Sequence, residues 1–159
     1  MKEQAHKLRN SIRDLAAIAS EMESHECGAG RQMLIHITRR DQHNIALSPW
    51  FRVHEFASKD GAVTVIIHKE LLDRLNDLRE LLDRPIRINS GYRTPEHNAA
   101  VGGATQSKHL EGMAADIVVD SMTPDALAVQ AEAMGFRGIG IYRNFVHVDV
   151  RETPAKWRG

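Results

Sequence analysis

The sequence has a single cysteine, no long apolar run and no excess of either charge, and each absence narrows the class of protein. Cys27 stands alone among 159 residues, which excludes an internal disulfide framework and a zinc site built from several cysteines. The 21 basic and 21 acidic residues give a formal net charge of zero, which does not indicate electrostatic capture of nucleic acid. No apolar stretch approaches the roughly 20 residues that cross a bilayer, so we expect no membrane insertion.

The amino-terminal residues also lack the apolar segment of a secretory signal. We therefore expect a protein that is cytoplasmic as synthesised. The composition is otherwise that of an ordinary globular domain, with 42% hydrophobic and 26% charged residues. The sequence contains no internal repeat, no low-complexity tract and no phosphate-binding glycine motif.

The chain divides into a helical lead-in segment, residues 1–45, and a domain that spans residues 46–159. Apolar residues recur at helical spacing between residues 5 and 23 of the lead-in. In the domain, the patterns predict an α+β fold, with a small antiparallel sheet flanked by helices. The predicted strands lie near 63–67, 86–89, 115–119, 139–142 and 145–150. The predicted helices cover 69–83 and 124–134, and Ser90 to Gly112 is expected to be a long loop.

Two short motifs supply groups that bind metal ions. The segment 107–116 contains Ser107, His109 and Asp116, and the segment 145–149 contains His147 and Asp149. Two imidazoles and a carboxylate are the ligand set of a hydrolytic zinc site that leaves one position open for water. Alternation along the second segment places its valines on one face and His147 and Asp149 together on the other, which suits a site built on a buried strand.

In these residues the chain resembles the zinc D-Ala-D-Ala carboxypeptidases, a family that includes peptidoglycan peptidases and the VanX dipeptidases and shares its fold with the hedgehog signalling domain. The resemblance covers about residues 51–159. It extends to the segment Ser-Gly-Tyr-Arg-Thr-Pro-Glu-His-Asn at 90–98, the glycine pair at 102–103 and Trp157 near the end of the chain.

The resemblance implies that His109, Asp116 and His147 bind Zn²⁺. It also places Arg93 in the cleft, where the guanidinium would bind a substrate carbonyl or the oxyanion; the alternative is a salt bridge that fixes the loop. Ser107 would hydrogen-bond the substrate backbone or cap its own loop. Tyr92 and Trp157 would contribute to the cleft wall, where Tyr92 would contact substrate; the alternative is that these aromatic rings only pack in the protein.

The identity of the catalytic base is left open by the sequence. Many members of the resembled family carry an acidic residue three positions before the last histidine ligand, and here that position is Asn144, which cannot act as a base. Asp149 is the natural replacement as the catalytic carboxylate. The alternative for Asp149 is that it orients a ligand or pairs with an arginine.

We therefore expect a zinc metallopeptidase, a carboxypeptidase or endopeptidase that cleaves stem or cross-link peptides of bacterial peptidoglycan with a D-amino acid on at least one side of the bond. An endolysin released to the cell wall by phage-type lysis, a virion-associated lytic enzyme and a cytoplasmic recycling peptidase all fit this expectation, and the sequence does not choose between them. The alternative is a non-catalytic zinc-containing binding module or virion structural module of the same fold, which Asn144 keeps open. The sequence does not predict the oligomeric state.

Overall fold

The computed structural model describes the backbone of residues 32–36 and the whole of residues 45–159. Most of the predicted lead-in, including the helix expected between residues 5 and 23, lies outside these residues. The helices are Val53–Phe56 (α1), Lys69–Leu82 (α2), Pro95–Ala100 (α3) and Pro124–Ala133 (α4), and a 3₁₀ turn covers Lys108–Glu111. The strands are Gln32–His36 (β1), Thr64–His68 (β2), Ile86–Ser90 (β3), Ala114–Val119 (β4), Gly138–Ile141 (β5), Val146–Asp149 (β6) and Ala155–Arg158 (β7).

The main sheet has five strands in the order β3-β4-β6-β5-β7. Neighbouring strands are antiparallel except for β5 and β7, which are parallel. Helices pack against this sheet, and the predicted α+β class with a small, mainly antiparallel sheet is confirmed. Strands β4 and β6 lie side by side near the middle of the sheet, so they are the most rigid platform that the fold offers for a site.

Two details of the predicted sheet are wrong. The strand predicted near 63–67 forms as β2, but it pairs with β1 in a separate two-stranded sheet. The fifth strand of the main sheet is instead β7, which the sequence did not predict. β7 pairs with β5 in parallel. β7 is a four-residue edge strand with partly exposed and exposed side chains in alternation, so its apolar pattern is too weak to recognise.

Helices α2 and α4 supply most of the helical contribution to the core. The leucines of α2 recur at helical spacing, and Leu71, Leu72, Leu75 and Leu78 are buried inside the protein. α4 begins where the sequence indicates, because the Thr123 hydroxyl accepts a hydrogen bond from the Ala126 amide and Pro124 occupies the first helical position. The buried residues of both helices belong to the same hydrophobic cluster as the apolar residues of the main sheet.

The segment predicted as a long loop, residues 90–112, contains a short helix and the 3₁₀ turn. The Thr94 hydroxyl caps α3 by accepting from the His97 amide, a start signal that the neighbouring glycines obscured in the sequence. Asn98 of α3 is buried, and its side chain donates to the Ala104 carbonyl at 3.0 Å. The Gly103 amide donates back to the Asn98 carbonyl at 2.8 Å, so this loop is held against α3.

We predict that Leu75→Ala lowers the free energy of unfolding by about 2–5 kcal/mol, because the Leu75 side chain is fully buried and its loss leaves a cavity. Leu81→Ala on the same helix is the matched control, since Leu81 is 52% exposed, and we expect a change within about 0.5 kcal/mol. Urea unfolding followed by circular dichroism measures both values. Equal losses in the two variants would contradict the packing described here.

Candidate metal centre

Three side chains from separate elements converge at the centre of the main sheet. His109 lies in the 3₁₀ turn, Asp116 on β4 and His147 on β6, where it is directly opposite Asp116 in the strand register. His109 Nε2 lies 3.2 Å from both Asp116 Oδ1 and His147 Nδ1, and His147 Nδ1 lies 3.0 Å from Asp116 Oδ1. All three residues are buried, and in the described part of the chain they are the one group of this kind that could hold a metal ion.

In each imidazole, the ring nitrogen that points away from the cluster has a hydrogen-bond acceptor beside it. That nitrogen therefore carries the hydrogen, and the nitrogen that faces the cluster keeps its lone pair. His109 Nδ1 lies 2.6 Å from the Gly91 carbonyl, which can only accept, so Nδ1 carries the hydrogen and Nε2 is free to bind a metal. His147 Nε2 lies 3.0 Å from the Asp149 carboxylate, so the same argument frees His147 Nδ1. With neutral rings, two nitrogen lone pairs and a carboxylate oxygen point at one position.

Two nitrogen lone pairs and a carboxylate oxygen point at the same buried position, so a positive charge is needed there to balance them. Burial raises the pKa of the Asp116 carboxyl, but its hydrogen bonds to His109 and His147 have the larger combined effect and lower that pKa below its usual range. Burial lowers the pKa of His147, yet the carboxylates of Asp116 and Asp149 outweigh burial and raise it. Without a metal, His147 can supply the charge by taking a proton; a divalent cation would displace that proton.

The separations of the three atoms fit a tetrahedral metal ion. Ligands about 2.0 Å from a tetrahedral zinc ion lie about 3.3 Å from one another. The separations here are 3.0 to 3.2 Å, so a small outward adjustment suffices to bind the ion. Three protein ligands leave one tetrahedral position open, which is the arrangement of catalytic rather than structural zinc sites.

Gly112 allows the 3₁₀ turn to approach the sheet closely enough for His109 to reach the cluster. Its backbone has φ +67°, and a Cβ atom at this position would lie 2.3 Å from the Ile66 carbonyl oxygen. The Gly112 carbonyl accepts from the His68 amide at 2.9 Å, which fixes the turn against β2. The close approach of this turn to β2 therefore depends on the absence of a side chain at Gly112.

Arg93 contacts the cluster and also faces the cleft. Its Nη2 donates to Asp116 Oδ2 at 2.7 Å and its Nε to Ser90 Oγ at 2.9 Å. The Arg93 amide donates to the His109 carbonyl at 3.1 Å, so the backbone of this arginine is tied to the 3₁₀ turn. Arg93 thus forms a salt bridge and also lines the cavity beside the cluster, while its binding of substrate stays a prediction.

Asp149 is placed behind His147 rather than beside the metal position. Its side chain is 0% exposed. One carboxylate oxygen accepts from His147 Nε2, and Arg151 donates to both oxygens at 2.5 to 3.1 Å. Burial raises the pKa of Asp149, but the hydrogen bonds from Arg151 and then His147 outweigh burial and lower it below its usual range. A buried, fully bonded carboxylate across the imidazole from the cluster is arranged to orient His147.

A cavity of about 580 Å³ opens in front of the cluster. Ser107 lines it, and its hydroxyl also caps the 3₁₀ turn by accepting from the His109 amide at 3.4 Å. Tyr92 packs in the hydrophobic core and is not one of the lining residues. Lining residues that we did not single out from the sequence include Lys108, Tyr142, Phe145 and Arg151.

The signal for these missed residues was weak. Alternation along β6 places Phe145 and Arg151 on the same face as His147, so their position could have been read from the strand pattern. Tyr142 follows β5 across the hairpin, and only the pairing of the two strands brings it to the cavity. Trp157, expected at the cleft wall, does line the cavity, from the unpredicted strand β7.

Comparison with known proteins agrees with this geometry. Residues 49–149 match the Peptidase M15 family, so the chain belongs to that family. A stretch of 57 residues is 44% identical to the zinc D-Ala-D-Ala carboxypeptidase of Streptomyces albus G and covers 36% of this chain and 22% of that protein. A stretch of 88 residues is 33% identical to the peptidoglycan L,D-endopeptidase MepK of Escherichia coli (strain K12) and covers 50% of this chain and 48% of that protein.

The chain therefore spans about half or less of the length of these curated relatives. One relative is named as a D-Ala-D-Ala carboxypeptidase and the other as a peptidoglycan L,D-endopeptidase, so the two names specify different bonds. In the described part of this chain, no helix has the length and apolar character needed to cross a membrane.

We predict that the protein purified without chelator carries about one Zn²⁺ per chain, and that His109→Ala, Asp116→Ala and His147→Ala each lose it, because a site with three protein ligands cannot spare one. Elemental analysis of the purified variants measures the content. His97→Ala is the control, since His97 lies on α3 outside the cavity lining and should leave the zinc in place. A protein that neither retains zinc nor takes it up when zinc is added would contradict the prediction.

Proposed function

We propose that the chain is a zinc-dependent peptidase that hydrolyses bonds in the stem or cross-link peptides of bacterial peptidoglycan, next to a D-amino acid. The observation that carries this proposal is the buried cluster of two imidazole nitrogens and one carboxylate oxygen that opens onto a cavity. Membership of the Peptidase M15 family and the names of the two matched relatives support the substrate class.

The donor set favours zinc over other common ions. Two imidazoles with a single carboxylate suit zinc, whereas calcium and magnesium prefer sites made of oxygen ligands. When bound, zinc polarises the substrate carbonyl and lowers the pKa of a water molecule, which makes hydrolysis of an amide possible near neutral pH. The residues of this chain would hold the ion, bind the peptide and stabilise the negative charge that develops on the carbonyl oxygen.

Arg93 is the residue best placed to stabilise this negative charge. Its Nε and Nη2 groups are fixed by Ser90 and Asp116, so the plane of the guanidinium is set before substrate arrives. Among the described residues its Nη1 group has no hydrogen-bond partner, and the side chain lines the cavity. A guanidinium that is already oriented can donate to an oxyanion without reorganisation during the reaction.

The polar lining of the cavity suits a ligand rich in acceptors. Arg93, Lys108 and Arg151 carry positive charge, and Asp116 is the one carboxylate among the described residues that line the cavity. Ser107 adds a hydroxyl next to the first histidine. Peptidoglycan stem peptides present several backbone carbonyls and free carboxylates, which are the groups that such a surface binds. This match supports an acceptor-rich peptide as the substrate.

We assign to Asp149 the orienting role rather than that of the base, because its carboxylate is buried and its oxygens are taken by His147 and Arg151. With Asn144 at the position where family members often carry an acid, the described lining offers no second carboxylate to move a proton. This observation favours one second candidate function, a non-catalytic zinc-containing module that binds the same peptides.

Digestion of purified sacculi separates the two candidates. The zinc-loaded chain should release peptide fragments, and mass spectrometry of those fragments identifies the bond and whether the enzyme is a carboxypeptidase or an endopeptidase. Chelation should abolish release and zinc should restore it, while His147→Ala should remain inactive. Clearing of intact or permeabilised cells would support a lysin role. Binding to sacculi without any cleavage would establish the non-catalytic module instead.

We predict that Asp149→Asn weakens zinc binding and activity together, by about 10- to 100-fold in metal affinity, because the amide can no longer fix the hydrogen on His147 Nε2 or neutralise Arg151. Zinc titration against a competing chelator and turnover on the same preparation measure the two effects. Full zinc content with a rate about 10²- to 10⁴-fold lower would instead identify Asp149 as the base. Asp125→Asn, which removes an exposed carboxylate on α4, is the control.

A further inference from the structure

Tyr142 lines the cavity, and its hydroxyl group has no part in the reaction outlined above. Tyr142 follows directly after β5, and its amide donates to the Phe145 carbonyl at 3.0 Å, which closes the hairpin between β5 and β6. The two rings are stacked, with centroids 4.4 Å apart and an interplanar angle of 8°. The backbone and the ring of Tyr142 are therefore fixed before any ligand binds.

Trp157 determines how the Tyr142 hydroxyl can be used. The indole N–H can only donate, and it lies 3.2 Å from the Tyr142 oxygen, so the oxygen accepts this hydrogen bond. The hydroxyl hydrogen is then left to be donated to another acceptor. No described residue accepts it, and the side chain lines the cavity, so the hydrogen is available to a ligand there.

Trp157 is itself held in place next to the metal cluster. A Cβ atom at position 140 would lie 2.6 Å from the indole, so Gly140 provides the space in which the ring packs. The guanidinium of Arg151 lies 5.0 Å from the ring centroid, and the ring of His147 lies 5.2 Å from it. One indole thus connects the Tyr142 oxygen to a residue of the cluster, which places the hydroxyl near the reacting end of the cavity.

We propose that Tyr142 binds the peptide substrate by donating its hydroxyl hydrogen to a carbonyl or carboxylate oxygen, and that Trp157 is a positioning residue that acts through Tyr142. This inference rests on the proposed function and names a specificity contact for that same cavity. A hydroxyl whose oxygen is already engaged discriminates in favour of acceptors, because a donor group on the ligand would have no free partner there.

The test compares Tyr142→Phe, Trp157→Phe and the double variant with the unmodified chain. Tyr142→Phe removes only the hydroxyl, Trp157→Phe removes the indole N–H together with part of the ring, and the double variant removes both polar groups. Kinetics are measured on the muropeptides that a muramidase releases from purified sacculi. Binding of a synthetic stem pentapeptide ending in D-Ala-D-Ala to the chelator-treated protein is measured by calorimetry. Trp50→Phe, at a partly exposed tryptophan outside the cavity lining, is the matched control.

We expect Tyr142→Phe to raise KM and the peptide Kd by about threefold to tenfold, the effect of one neutral hydrogen bond, with zinc content unchanged and kcat within about twofold. Trp157→Phe should weaken binding in the unmodified chain but have little further effect when Tyr142 is already phenylalanine. This non-additivity distinguishes an effect transmitted through Tyr142 from a loss of packing, which would add in both backgrounds.

The outcomes separate this inference from the proposed function. If the unmodified chain cleaves muropeptides and Tyr142→Phe changes neither KM nor Kd, the inference is overturned and the peptidase proposal stands. If the chain binds the pentapeptide without cleaving anything, and Tyr142→Phe weakens that binding, the inference holds and the peptidase proposal fails. A chain that neither cleaves nor binds overturns both.

Discussion

The structure depends on one constraint: two imidazoles and a carboxylate must meet at a single buried point in the middle of a sheet. The register between β4 and β6 meets most of this constraint, because it places Asp116 and His147 directly opposite one another. Side chains opposite each other on neighbouring strands have their Cβ atoms about 5 Å apart, close enough to share a metal ion. The third residue, His109, comes from outside the sheet, and the tight turn at Gly112 and the hydrogen bond to Gly91 bring its Nε2 to the same point.

Strand β5, which pairs with β6, leaves space for the side chains that surround His147. β5 has the sequence Gly-Ile-Gly-Ile, and its two glycines lie opposite Asp149 and His147 in the register. A Cβ atom at position 138 would lie about 2.1 Å from the Asp149 carboxylate, and one at position 140 would meet the Trp157 ring. The isoleucines between them face the core. One face of this strand therefore contributes to stability, while the other makes room for the carboxylate and the indole that surround His147.

Local sequence patterns predicted the elements of the fold better than they predicted which elements are neighbours. The helices α2 and α4, the hairpin of β5 and β6, and the shared face of His147 and Asp149 all follow from periodicity and capping signals. The partner of β2 does not, because strand periodicity is the same in any sheet. β7 was missed since it is short and has no strong apolar face, although it supplies Trp157. Tyr92 was assigned to the cleft from its place in a motif, and its burial in the core depends on packing that no local pattern encodes.

The roles of the acidic residues show most clearly what spacing alone leaves undetermined. His147 and Asp149 are two residues apart on one strand face, and that spacing permits either a base that reaches the reacting atoms or a partner that fixes the imidazole. The choice depends on which nitrogen of His147 points towards Asp116, and only the folded structure determines this. His147 Nδ1 lies 3.0 Å from Asp116, and His147 Nε2 lies 3.0 Å from Asp149. Because a ring nitrogen that faces a carboxylate carries the hydrogen, Asp149 frees the opposite nitrogen for a metal. Because the same contact turns Asp149 away from the cavity, we propose that Asp149 orients His147 and does not act as the base.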